Sequence, residues 1–144
     1  MNKWVKILVV LVILGMIGGL GGYIFIYNKP HVNYEKSKVD YSLSGEDLFA
    51  EYTSHRHEAE NKYNGKVLEV SGYVNAIENP DSQTIVVFVL SDGLFGDEGI
   101  RFSMLQKYNA KANALIPGTR VSIKGYCTGY NDTDIIFEKC SITQ

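Results

Sequence analysis

From Ile7 to Tyr27 the chain runs for 21 residues without a charge, every position apolar, Gly or Tyr. Coiled as a helix at about 1.5 Å per residue, this stretch is roughly 31 Å long, which matches the hydrocarbon core of a bilayer. A small soluble domain has too little surface to cover a helix that is apolar on every side. Residues 7–27 are therefore expected to lie in a lipid bilayer, with Trp4, Tyr23 and Tyr27 near the headgroups. The rival reading is a cleaved signal peptide, with Lys3 and Lys6 as its basic start and Gly19-Leu20-Gly21 as its processing site. The apolar run continues past that site to Tyr27 and is longer than a typical signal core, which favours an uncleaved anchor. No cysteine lies near the segment, so an acyl-cysteine anchor is not expected. Gly15 with Gly19, and Gly18 with Gly22, have the small-xxx-small spacing of close-packing membrane helices. They read either as a weak self-association face or as mere helix looseness.

After Tyr27, 117 of the 144 residues remain, enough for one domain with one core. All 16 Asp and Glu, but only 12 of the 14 Lys and Arg, follow Tyr27, so this part carries a net charge of −4. Such a surface repels a phosphate backbone, and nucleic acid is not an expected partner. With six residues ahead of the span, the N-terminus is expected in the cytoplasm and the domain outside it, although Lys29, Lys36 and Lys38 nearly balance Lys3 and Lys6. The boundaries predicted are an anchor over 1–28, a juxtamembrane linker over 29–43 and a folded domain over 44–144.

Within the domain the hydrophobic period changes once. Ser44 is placed to cap a helix through the N–H of Asp47, and Leu48, Tyr52, Ala59 and Tyr63 then recur at helical spacing up to Asn64-Gly65. After Gly65 the period falls to two. Strands are predicted over 66–77, 84–90, 100–104, 119–127 and 134–142, with a polar loop at SDGLFGDEG and a short helix within 105–115. Helix, three strands, short helix and two strands is the order of a five-stranded OB-type barrel, and also suits another small α+β sheet fold.

The runs YSLSGEDLFAEY, NKYNGKVLEVSGYV, PGTRVSIKGYC and DIIFEKCSI resemble the bacterial tRNA-anticodon-like OB-fold family over about residues 41–142. The carriers are Tyr63, Gly65, Lys66, Val70, Gly72 and Val74, then Val121, Ile123, Lys124, Gly125, Cys127, Gly129 and Cys140. The resemblance implies a mainly β fold, with the N-terminal transmembrane helix followed by a small OB barrel that has a leading helix and a short helix between strands 3 and 4. Fold analogy implies little about activity.

Cys127 and Cys140 fall on neighbouring predicted strands, and in an exported domain they read as one disulfide, or otherwise as two buried thiols. His55 and His57 point away from each other on a helix, Glu51 with His55 is a better pair but has the competing charge of Arg56 beside it, and His31 stands alone in the linker. Asp92, Asp97 and Glu98 lack calcium-loop spacing. No metal, cofactor or catalytic residues are therefore predicted. Tyr73, Phe88, Arg101, Lys124 and Tyr126 are the residues predicted to form a ligand face on the sheet. The expected function is a non-catalytic, membrane-anchored binding or scaffold module of the bacterial envelope, meeting a protein, glycan or lipid. The alternative is a single-stranded nucleic-acid binder that uses the sheet face.

Overall fold

The computed structural model describes residues 2–27 and 32–144; His31 lies outside the described residues. It comprises two units, Met1–Val32 and Asn33–Gln144. The first is the helix α1 (Lys3–Tyr27), on which no residue is buried. It is long and apolar enough to cross a membrane. Near its end the rings of Tyr23 and Tyr27, one helical turn apart, stack at 4.6 Å. The glycine stripe of this helix lies open, with nothing within 4 Å of where a Cβ would stand on Gly15, Gly18, Gly19 or Gly22.

The second unit begins with β1 (Tyr41–Ser44), then α2 (Gly45–Ser54) and α3 (Arg56–Tyr63). The Ser44 hydroxyl accepts the N–H of Asp47 at 3.2 Å, the cap that the sequence specifies. The single predicted helix is broken at His55, whose φ of −136° leaves helical space. The break lets α2 reach β1 and the strands beyond it while α3 turns onto β6 (Arg120–Tyr130). Gly65, at φ +78°, then carries the chain out of the helical region.

The remaining strands are β2 (Val67–Tyr73), β3 (Ala76–Glu78), β4 (Ile85–Gly93), β5 (Gly96–Met104) and β7 (Asp134–Ile142). Between β5 and β6 lie a 3-10 turn and the short α4 (Asn109–Asn113), the connecting helix expected at that place. The sheet order is β1-β2-β6-β7-β5-β4-β3. This corrects the expectation of a mainly β, five-stranded closed barrel: the sheet is open and seven-stranded, and helix and strand take similar shares of the chain. Two features make the difference. The linker contributes an edge strand, β1, parallel to β2. The predicted strand over 66–77 splits after Tyr73: the Val74 N–H turns to Thr119 O beside β6, and the Asn75 N–H turns to Val87 O on β4. Its two halves thus belong to different parts of the sheet.

The core gathers inward residues of every long strand with the buried face of α2 and α3. Leu48, Tyr52, Tyr63, Leu68, Val70, Phe88, Ile100, Phe102, Ile123, Ile135 and Phe137 are all at most 1% exposed. Phe88, Phe102 and Phe137 form a row of rings, with centroids 4.8 and 5.0 Å apart. Gly72 lies under Phe88, whose ring would be 2.8 Å from a Cβ there.

The predicted disulfide is absent, and Cys127 and Cys140 are buried free thiols. Register is the reason. Cys127 faces Phe137 on β7, while Cys140 pairs with Met104 of β5 and its Sγ would be 2.4 Å from a Cβ on Gly125. Bulges after Lys124 and Cys127 move the ladder off the symmetric hairpin that opposed cysteines would need.

Candidate functional site

On β4, β5 and β7, the face opposite the Phe88, Phe102 and Phe137 rings carries mostly half-buried side chains, with Val87 buried among them. Register sets its rows: Ala76, Val87, Arg101 and Ile136 lie side by side, flanked by Glu78, Ile85 and Ser103 on one side and by Val89, Gly99 and Asp134 on the other. Arg101 holds the centre. Its Nη1 lies 2.5 Å and its Nη2 3.2 Å from the Glu78 carboxylate, and its Nε lies 3.3 Å from Asp134 Oδ2. The fork raises the Arg101 pKa and holds Glu78 below the usual carboxylate range, chiefly through the hydrogen bonds that Arg101 donates to the Glu78 carboxylate. The guanidinium is thus oriented but largely neutralised.

Beside Arg101, at Ile136, the face sinks into a recess of about 270 Å³ lined by Thr128, Gly129, Tyr130, Asn131 and Ile136. The Arg56 guanidinium lies 5.2 Å over the Tyr130 ring and pairs with Asp132 at the β6–β7 turn. Burial raises the Tyr130 pKa, and its hydroxyl donates to the Asp132 carbonyl oxygen at 3.1 Å. A larger recess of about 450 Å³ lies between β1, α2 and α3. There the Lys62 ammonium sits 5.5 Å and 4.8 Å from the Tyr41 and Tyr63 rings, and Glu51 takes the Tyr63 hydroxyl at 2.9 Å. Glu51, Lys62 and Tyr63 of that recess already engage one another.

The five residues predicted as a ligand face do not converge. Phe88 is 1% exposed in the core. Tyr73 is exposed at the end of β2, and Arg101 stands on the face just described. Lys124 and Tyr126 lie together on β6, under residues that precede β1. The Lys124 Nζ donates to the carbonyl oxygens of Glu35, at 2.9 Å, and of Ser37. Tyr34 covers Tyr126, with ring centroids 4.9 Å apart. Sequence reasoning missed Ile136 as a recess residue, because only the β7 register brings it beside Arg101. Among the described residues no group of three or more His, Cys, Asp or Glu side chains is placed to hold a metal ion.

A model of the tRNA_anti-like family matches residues 1–142. The chain belongs to that family. The tRNA_anti-like domain is an OB-type binding domain, a class that is generally non-catalytic. Among solved structures, the tRNA_anti-like chain is similar to a Klebsiella pneumoniae lipoprotein described as a candidate nucleic-acid binder. The two share 18% identity over 72% of this chain and 91% of that one, with a TM-score of 0.56. It also overlaps the Stn1–Ten1 complex of S. pombe, at 16% identity over 54% of this chain and 58% of that one, TM-score 0.37. Asparaginyl-tRNA synthetase of Pyrococcus horikoshii overlaps at 16% identity over 56% of this chain and 20% of that one, TM-score 0.38. No curated protein matches the sequence. The expectation that nucleic acid is an unlikely partner is thereby corrected. Net charge spoke against a phosphate backbone, but the tRNA_anti-like domain shares its fold with a protein described as a nucleic-acid binder.

Proposed function

We propose that this membrane-anchored OB-type domain binds unpaired nucleic acid on the face of β4, β5 and β7 that carries Arg101. The observation that carries the reading is an oriented guanidinium, Arg101, beside a shallow open recess at Tyr130 and Ile136. Family membership and the lipoprotein likeness support it. In this reading a base enters the recess against Ile136 and Tyr130, while Arg101 and Asn131 supply directional hydrogen bonds. Because Glu78 and Asp134 already offset Arg101, few phosphates are neutralised on binding. Affinity then rests on stacking and falls only shallowly with salt. The N-terminus lies in the cytoplasm and the domain outside it, a reading supported by Lys3 and Lys6 ahead of α1.

The test is binding of the full chain, in detergent micelles, to a fluorescent unstructured oligonucleotide across a salt series. Saturable binding that Arg101→Ala weakens supports the proposal. No binding even at low salt overturns it and returns the domain to a protein, glycan or lipid ligand. Orientation is checked separately, by labelling a cysteine introduced at the exposed Thr128 with a membrane-impermeant maleimide in intact cells. Labelling there is the expected result.

A further inference from the structure

At the tip of the β4–β5 hairpin two large apolar side chains stand in solvent, Leu94 97% and Phe95 96% exposed. They form the turn between the paired Gly93 and Gly96. Tight hairpin turns select Asn, Asp and Gly, and here Gly96 at φ +128° already meets the backbone's demand, so Leu and Phe add nothing to the turn. At that exposure they add nothing to the core either.

The arm that carries them projects beyond the body of the sheet. β5 pairs with β7 only from Gly99 onward, whereas the β4–β5 ladder continues past a bulge to Gly93 and Gly96. Just behind the tip, Asp92 lies opposite Asp97, with Glu98 opposite Ser91. Like charges facing each other weaken a ladder. An apolar turn and an opposed carboxylate pair are two local costs with no return in the folded domain, as expected of a surface shaped for contact.

We infer that the Leu94–Phe95 tip is a second membrane contact, entering the headgroup boundary of a bilayer while Asp92, Asp97 and Glu98 limit its depth. The inference rests on the anchoring part of the proposed function and is independent of oligonucleotide binding. The anchor selects this occupant. A helix able to cross a membrane keeps the domain at a lipid surface, where a contact too weak to hold a free protein is sufficient. The acidic collar disfavours a nucleic-acid backbone. The carboxylates of Asp92 and Asp97 stand two residues behind the turn, about 7 Å along the strands. Apolar faces of interfacial elements sink by about 5–10 Å, so a tip buried to that depth leaves the collar among the headgroups. Zwitterionic headgroups, which carry an ammonium, suit the collar better than anionic ones.

The test uses the full chain reconstituted in phosphatidylcholine vesicles. Trp4 is the chain's single tryptophan, so quenching of the parent's emission by brominated phosphatidylcholine reports the anchor alone. The W4F/F95W variant moves the reporter to the tip, a position too exposed for the change to disturb the core. The expected results are loss of the variant's emission in brominated vesicles, less loss when phosphatidylglycerol is mixed in, and less again when L94S is added. A water-like emission open to acrylamide, with Trp4 of the parent still quenched, overturns the tip contact and leaves the anchor standing. A blue-shifted emission that bromine does not quench shows the tip buried against protein, such as a second copy, and overturns it too. Unquenched Trp4 in the parent would remove the anchor and the tip contact together.

Discussion

The Nζ of Lys124, a residue only 9% exposed, lies 2.9 Å from the carbonyl oxygen of Glu35, which stands 89 positions earlier in the chain. Ser37 supplies a second carbonyl to the same ammonium. The Glu35 carboxylate accepts the Tyr108 hydroxyl at 2.6 Å and pairs with Lys107. Residues predicted as part of a linker are thus strapped across β6 and the turn that precedes α4.

Lys124→Met should release this strap. Losing hydrogen bonds from a charged donor costs on the order of 1.5–3 kcal/mol. The measurable sign is faster tryptic cleavage after Lys36 and Lys38 in the native protein, together with a lower Tm. Unchanged cleavage would show that the strap is held without Lys124.

Because Cys127 and Cys140 are unbridged, the Tm of the parent should not respond to reductant, and denatured protein should titrate two thiols. Native labelling should be slow, since burial pushes the Cys127 thiol up to about 11 and Cys140 also well above its usual value. Cys140→Ser places a hydroxyl in a fully buried site beside Gly125 and should destabilise by about 1–3 kcal/mol. A Tm that falls on reduction would contradict the register.

The same shifts fix the pH dependence. A thiol whose folded pKa is raised is protonated more firmly in the folded chain. Its contribution is complete below the unfolded value and is lost as pH climbs toward about 11. Glu78 and Glu35 are held below the ordinary carboxylate range by Arg101 and by Lys107. Their contribution is present above the unfolded carboxylate pKa and disappears as pH falls through the depressed folded values. Urea midpoints measured across pH should therefore form a plateau near neutrality that declines on both sides. Arg101→Gln should flatten the acid side, and an unaltered acid limb would count against the Glu78 pair.

Gly72→Ala should cost about 1–3 kcal/mol, because the new Cβ would meet the Phe88 ring at 2.8 Å inside a packed core. Adding Phe88→Leu should recover part of the loss if that contact is the cause. No recovery would place the strain in the backbone instead. Both are read as urea midpoints.

By itself the sequence determined what depends on neighbours in the chain. Apolar length specified a helix able to cross a membrane, the Ser44 cap and Gly65 bounded a helical stretch, and period-two patterns located strands that the structure keeps, β7 with the predicted ends. These signals are local, and a side chain's spacing from its neighbours carries them. The tertiary structure decided whatever depends on register. It put Cys127 opposite Phe137 rather than near Cys140, turned Phe88 into the core, extended β4 and β5 through a stretch that reads as a polar loop, and split one predicted strand between two places in the sheet. It also recruited 41–44 as an edge strand and gathered Arg101, Glu78, Asp134, Tyr130 and Ile136 from strands far apart in sequence. A one-residue bulge reverses which face a side chain joins, and nothing in local spacing announces where the partner strand will place it.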